Sequence, residues 1–465
     1  MRRRLVLPVL VSLLALPALA RADEPAPPAP PPPTAPDVND KMLATVPSAR
    51  VNIRSWDEAL QHIRARSTDM RIAMQEVARA EAQSRVALAG ALPSLNGTVA
   101  YTHNLITNEG AQFTGVSAGQ ANIRPVRVPF PDFATGSLQL VQPVLALRAW
   151  YNIGTREVAE DAARLSLDDA KRVIALTVAN AIVAVVTAER IAELNRNGLR
   201  NALVRLELTD RKMALGSLTG LDVVRARQDV EVARATLVAG DESLRQAREA
   251  LGLAVGVPEQ VGVPPSVNLA GLEASAKKTC KPANSVDQRP DVLALRSRAE
   301  VARRTVNDVK YQYAPIVNLQ SSLNTTTLNT GAAPNTTWNI QAVLTVPLWD
   351  GGARYGSRRD AQAQELQAIE RVEAARRQAV IQLTQAQRGV SVAEERQRVA
   401  AETRSLANET DRLTRAAFAE GRGTSLELVA AAQALRDAEI NLALREFDLV
   451  KARILAVLSN ATCPY

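Results

Sequence analysis

The sequence predicts an α+β membrane protein of two structural repeats, each joining two membrane-crossing β-strands to long antiparallel coiled-coil helices. Three observations carry that reading: two long stretches without proline, a hairpin signature that occurs once in each, and four segments of period-two polarity. Proline breaks helix interiors and central strands, so its gaps mark regular structure. The 465-residue chain has no proline from Val144 to Val257 or from Leu348 to Cys463. Apolar residues recur at helical spacing in both gaps: Ile174, Val178, Ile182 and Val185 in the first, Val372, Ala379, Val380 and Leu383 in the second. With only 3% aromatics among abundant Ala, Leu, Val, Arg, Gln and Glu, the composition suits long helices sharing a narrow seam.

Each gap is interrupted once, at MALGSLTGLDVVRARQ (Met213 to Gln228) and at FAEGRGTSLELVAAAQ (Phe418 to Gln433). Gly216 and Gly421 can end one helix in a left-handed conformation. Thr219 or Gly220, and Thr424 or Ser425, can cap the next, with Asp222 or Glu427 in its first turn. The tips correspond at a constant offset of 205, from Gly216 to Gly421 and from Asp222 to Glu427, and upstream Pro143 and Pro347 differ by 204. A duplication therefore spans much of the chain. Shorter helices, roughly Ser55 to Leu92 and Pro290 to Tyr313, precede the strands of each half.

The strand segments alternate. Leu95, Val99, Tyr101 and Leu105 interleave with Asn96, Thr98, Thr102 and Asn104. Leu138 and Leu140 oppose Ser137 and Gln139; Val317, Leu319 and Leu323 oppose Asn318, Gln320 and Ser322; Trp338, Ile340 and Leu344 oppose Thr337, Asn339 and Gln341. Strands of about ten residues match a tilted outer-membrane crossing, with the apolar face toward lipid and the Thr, Asn and Gln face wet. Four strands cannot close, and lipid tolerates no open sheet edge, so strands must come from further copies of the chain. The helices then hang on the periplasmic side, where about 65 residues rising 1.5 Å each reach roughly 100 Å.

The address agrees. Residues 1–22 read as a secretory signal peptide, with three arginines, an apolar run from Leu5 to Leu19 and small residues at Ala20 and Ala22. No later stretch reads as a membrane-spanning helix. Residues 23–50 read as a Pro-rich disordered spacer, 51–255 as the first repeat, 256–289 as an inter-repeat linker, 290–459 as the second repeat, and 460–465 as a tail. Removing the signal lowers the formal net charge from +8 to +4, dispersed among alternating acids and bases, which argues against a nucleic-acid partner. Cys280 and Cys463, in an oxidising compartment, suggest one disulfide.

Helix, strand, strand and long helices, repeated twice, resemble the TolC family of outer-membrane efflux proteins from about Val51 to Leu458. The most specific matches are the tips GSLTGLDVVRAR and GRGTSLELVAA, with ALPSL, VPLWDGG and QRPDV in support. The resemblance implies a homotrimer whose strands pool into a twelve-stranded barrel in outer-membrane lipid, continuous with a periplasmic helical barrel. It implies a passive exit duct served by a periplasmic adaptor and an inner-membrane transporter, and a belt that brings Cys280 near Cys463. At the tips it implies a constriction containing Asp222 and Glu427, with Phe418 at the aromatic position. Gly423 and Ala430 stand where relatives carry an arginine and a further acid, leaving Arg422 to substitute from next door. Gly216, Thr219, Gly220, Gly421, Gly423 and Thr424 are the expected adaptor contacts.

Nothing in the sequence points to catalysis. His62 and His103 have no metal-ligand or triad partners at a recognisable spacing, and Gly351–Gly352 lacks the Lys and Ser or Thr of a phosphate loop. No cofactor motif is present. The competing reading, an envelope-anchored structural coiled coil, predicts sustained heptads and no duplicated strand pairs.

Overall fold

The computed structural model describes residues 38–105, 109–117, 120–127, 131–264, 267, 269–329 and 334–465. The expected signal peptide and spacer residues 23–37 lie outside the described residues. In chain order the first half holds β1 (Val51–Asn52), α1 (Trp56–Arg66), α2 (Thr68–Ala89), β2 (Ser94–Thr102), β3 (Glu109–Ser117), β4 (Gln120–Arg127), β5 (Phe133–Leu145), α3 (Leu147–Ala214) and α4 (Gly220–Val255). The linker contributes β6 (Val261–Gly262), α5 (Leu269–Thr279) and β7 (Lys281–Pro282). The second half holds α6 (Pro290–Tyr311), β8 (Ile316–Thr326), β9 (Thr336–Thr345), α7 (Ala353–Ala419), α8 (Ser425–Leu458) and β10 (Ala461–Thr462). The long helices match in length, 68 and 67 residues for α3 and α7, as a duplication requires. At 1.5 Å per residue each is about 100 Å long.

The strands β2, β5, β8 and β9 pair antiparallel in that order, leaving β2 and β9 as edges. Register puts Leu95 opposite Leu140, Leu138 opposite Leu323 and Leu323 opposite Trp338, so the apolar residues share one face. That face is bare: Val99 is 84% and Trp338 72% exposed. On the other face, cross-strand partners bond to each other, Ser322 Oγ to Asn339 Oδ1 at 2.6 Å and Gln341 Nε2 to Gln320 Oε1 at 3.1 Å. Pro143, which has no N–H to donate, lies where the β5–β8 register shifts. Between β2 and β5 the chain carries an additional antiparallel ribbon, β3–β4.

Two helical expectations need correction. The helix expected from Ser55 to Leu92 is broken at Ser67, whose hydroxyl accepts from the Met70 amide at 3.4 Å. The break makes room for the end of α4: Gly256 adopts φ +78, and a Cβ there would stand 2.5 Å from the Arg66 carbonyl oxygen. Secondly, α3 does contain a stretch long and apolar enough to cross a membrane. Its Ile174, Ala175, Val178, Ala179, Ile182, Val183 and Val185 are instead buried in the main protein core.

That core forms a belt around the middle of α3. Ile53, Trp56 and Ile63 enter it from the start of the chain, Leu251 and Val255 from α4, Leu272 and Ala276 from α5, and Ile454 and Leu458 from α8. Cys280 and Cys463 are disulfide-bonded within it, closing a separation of 183 residues around the second repeat. Beside the bond, β7 pairs with β10. Arg289 of the QRPDV motif holds Asp291 through two guanidinium nitrogens, at 2.7 and 2.6 Å, and donates to the Ser459 carbonyl at 3.3 Å.

Residues 38–50, expected to belong to the spacer, lie docked against α3 and α4. Arg234 donates to Asp40 at 2.7 Å, and Arg248 to the Pro47 carbonyl at 2.7 Å. Met42 and Leu43 pack on a cluster of Leu199, Ala202, Val230, Ala233 and Leu237. Two apolar residues and a paired acid in this short segment oppose the disorder that proline favours.

Below the belt α8 packs against both α7 and α3, and α3 against α4, giving the lateral order α7, α8, α3, α4. Along α7, Val372, Ala379, Ala386, Ala393 and Ala400 recur every seven residues and are buried. A second set at the same spacing, Val392, Val399, Leu406 and Leu413, is exposed.

Candidate functional site at the hairpin tips

Both hairpins turn by the same local chemistry. Beyond α3, Gly216 takes φ +76 and the Ser217 amide returns to the Lys212 carbonyl at 2.9 Å; beyond α7, Gly421 takes φ +77 and the Arg422 amide returns to Ala417 at 2.9 Å. Of the possible caps, Thr219 and Thr424 serve. Asp222 accepts from the Thr219 amide at 3.0 Å and its hydroxyl at 2.8 Å. Glu427 accepts from the Thr424 amide at 2.9 Å while Thr424 Oγ1 accepts from the Glu427 amide at 3.2 Å. A carboxylate in each first turn also faces the positive end of its helix.

The acids differ in what else they touch. Asp222 reaches across to the second hairpin, accepting a short hydrogen bond from Ser425 Oγ. That hydroxyl, then those from the Thr219 hydroxyl and amide, hold its pKa below the ordinary carboxylate value. Glu427 is lowered by the Thr424 amide first and its hydroxyl second. Both therefore carry negative charge at neutral pH.

Phe418 also joins the hairpins: Lys212 Nζ sits 4.3 Å from the centre of its ring and donates to its carbonyl at 3.4 Å. The Arg422 side chain is 82% exposed and lies 3.8 Å from Glu420, while its amide closes α7 on the Ala417 carbonyl. Gly423 fits closely, since a Cβ there would stand 3.1 Å from the Phe418 nitrogen. Around Gly216, Gly220 and Gly421 there is open space, leaving the turn backbones accessible.

Sequence reading missed the cross-hairpin partners Lys212 and Ser425, and a buried set higher up. There Asp229 of α4 meets Arg205 of α3 and Gln433 and Arg436 of α8. An acid buried on a helix that elsewhere alternates charge was the available signal, but burial is not legible without knowing which face packs.

A membrane-type sheet continuous with helices about 100 Å long and paired capped tips define a class: an envelope protein with an amphipathic strand domain and a helical stalk. The profile of the outer membrane efflux protein family matches residues 59–257 and 282–455. Outer membrane protein OprJ of Pseudomonas aeruginosa is 25% identical over 330 residues, covering 68% of this chain and 64% of OprJ. The cation efflux system protein CusC of Escherichia coli K12 is 20% identical over 308 residues, covering 65% of this chain and 63% of CusC. The chain thus spans a little under two thirds of these relatives' lengths. By structure it is similar to crystallised CusC, with TM-score 0.73 and 17% identity over 92% of this chain and 99% of that one. It is also similar to the Campylobacter jejuni CmeC channel, with TM-score 0.72 and 12% identity over 94% and 95% of the two chains. The chain belongs to the outer membrane efflux protein family. Cys280 and Cys463 both fall outside the residues the family profile matches.

Proposed function

We propose that three copies of this chain form an exit duct that passively conducts cargo outward, delivered by an inner-membrane transporter through a periplasmic adaptor. The open sheet carries this reading. Edge strands β2 and β9 have backbone groups that hydrocarbon cannot satisfy, and three sets of four strands close one barrel. The lateral order of the helices supports the same closure. It leaves α7 and α4 as the flanks, with exposed Val392, Val399 and Leu406 on one and Val224, Val232 and Val238 on the other. Repeated by symmetry, Asp222 and Glu427 make rings of negative charge at the periplasmic end, which favour cations and narrow the entrance. The exposed turns around Gly216, Gly220, Gly421, Gly423, Thr219 and Thr424 suit close approach by an adaptor's helices. A purely structural coiled coil would leave the segregated faces of the sheet without a role.

The test is single-channel recording from purified protein in a planar bilayer, comparing the wild type with Asp222→Ala/Glu427→Ala. Discrete, cation-selective openings whose selectivity drops in the variant are expected. Wild-type openings with unchanged selectivity in the variant would remove the acidic constriction; absence of any conductance would remove the duct.

A further inference from the structure

We propose that a cavity where the sheet meets the helices binds small organic anions, with Arg156 holding the acidic group and the start of α3 receiving an apolar body. The proposal rests on the duct reading, which makes such a molecule cargo in transit. The cavity, of about 520 Å³, lies between the end of α2, the first turns of α3 and the later turns of α6. That volume suits a drug-sized molecule. Pro143 of β5 and Asn318 of β8, partners in the sheet register, close its upper end. Asn318 alternates with the wet-face residues Gln320 and Ser322, so the cavity opens toward the inside of the closed sheet.

The duplication shows what is particular to this half. Counting back from Pro93 and Pro315, each just before the first strand of its repeat, Gly90 and Ala91 stand where the second repeat has Gln312 and Tyr313. Counting on from Pro143 and Pro347, Ala146 stands where it has Asp350. In the second repeat the larger side chains occupy their corner: Asp350 accepts from Arg354 Nε at 2.6 Å, and the Arg354 guanidinium lies 4.5 Å from the centre of the Tyr313 ring. In the first repeat Gly90 and Ala146 line open space instead, and Ala146 gives α3 no side-chain cap. An acid, an arginine and a ring fill the second corner from within, and an organic anion brings the missing acid and ring to the first. The lining matches that ligand. Ala149, Val301 and Ile316 supply an apolar wall. Arg148 is already neutralised by Asp308 at 3.1 Å. Arg156 has no ion pair or hydrogen bond among the described residues, and its side chain lines both this cavity and an adjoining one of about 370 Å³ against α2. A free guanidinium beside an apolar wall favours a carboxylate, which it can hold through two hydrogen bonds.

Equilibrium dialysis of the full-length protein in detergent tests this, with sodium 2-naphthoate as the probe, neutral 2-naphthamide for comparison and protein-free micelles as the blank. Saturable binding of one 2-naphthoate per chain is expected, at least tenfold tighter than binding of the amide. Arg156 is exposed, so Arg156→Gln leaves the packing alone; it should weaken binding of the acid at least tenfold and hardly alter that of the amide. Ala149→Leu, which fills the apolar wall, should weaken both at least tenfold with circular dichroism unchanged. Equal binding of acid and amide, or acid binding that survives Arg156→Gln, would overturn the proposal, and that comparison decides even if Ala149→Leu fails to fold. Planar bilayers give the second readout. By cancelling the Arg156 charge, 2-naphthoate should shift the wild-type reversal potential toward stronger cation selectivity, and it should leave Arg156→Gln channels unmoved. Wild-type channels that conduct without responding would put the site off the conducting path and overturn the proposal. Wild-type silence in the bilayer with binding intact would instead count against the duct alone.

Discussion

Asp222 and Glu427 accept hydrogen bonds from the caps of their own helices, so the charges proposed to select cations also terminate the turns. Both pKa values are depressed in the folded protein. Stabilisation from such a group is present above its unfolded pKa and disappears as pH falls through the folded one. Cation selectivity should therefore survive as pH is lowered past about 4, the ordinary carboxylate range, and fade only below it. Reversal potentials measured across that range check this; loss of selectivity near pH 6 would assign it to other groups. These two acids were legible because the tip sequence occurs twice. Ser425 and Lys212 were not, because contact between hairpins depends on how each helix is rotated, which spacing along one helix does not determine. The disulfide acts at the same scale. Closing a loop of 183 residues restricts the unfolded chain, so Cys280→Ser/Cys463→Ser should cost about 2–5 kcal/mol in denaturant unfolding. An unchanged midpoint would mean that β7–β10 pairing and Arg289 already hold the belt closed.

At the scale of elements, proline gaps and alternation located the long helices and the four-stranded sheet. They did so because each element is governed by one dominant period. The break at Ser67 escaped that reading because its cause is the crossing Gly256, distant in sequence. The apolar run of α3 escaped for the opposite reason: the belt covers the helix on several sides, so a segment packed inside protein acquires the composition of a membrane span. The β3–β4 ribbon lies where Pro125 and scattered glycines obscure alternation. The exposed heptad on α7 makes its own prediction. Val399→Glu/Leu406→Glu leaves the buried alanine seam with α8 intact but places charge on the flank. It should shift the detergent-solubilised protein from trimer to monomer in light scattering while helical content stays unchanged. A trimer that tolerates both charges would move the subunit interface elsewhere.

For the whole molecule, the halves are alike in strands and long helices and unlike at the belt. There residues 38–50 dock on the first hairpin only, and the disulfide encloses the second repeat only. The strands and long helices are common to the two halves, and the disulfide and the docked segment add contacts at the belt that the duplication does not repeat. All of them converge on a sheet whose edges remain open in one chain. The mass of the purified protein in detergent, measured with the detergent contribution subtracted, tests that most directly. The account predicts three chains per particle, about 150 kDa less the signal peptides on a 50.0 kDa chain. A monodisperse monomer that stays soluble without detergent would contradict it.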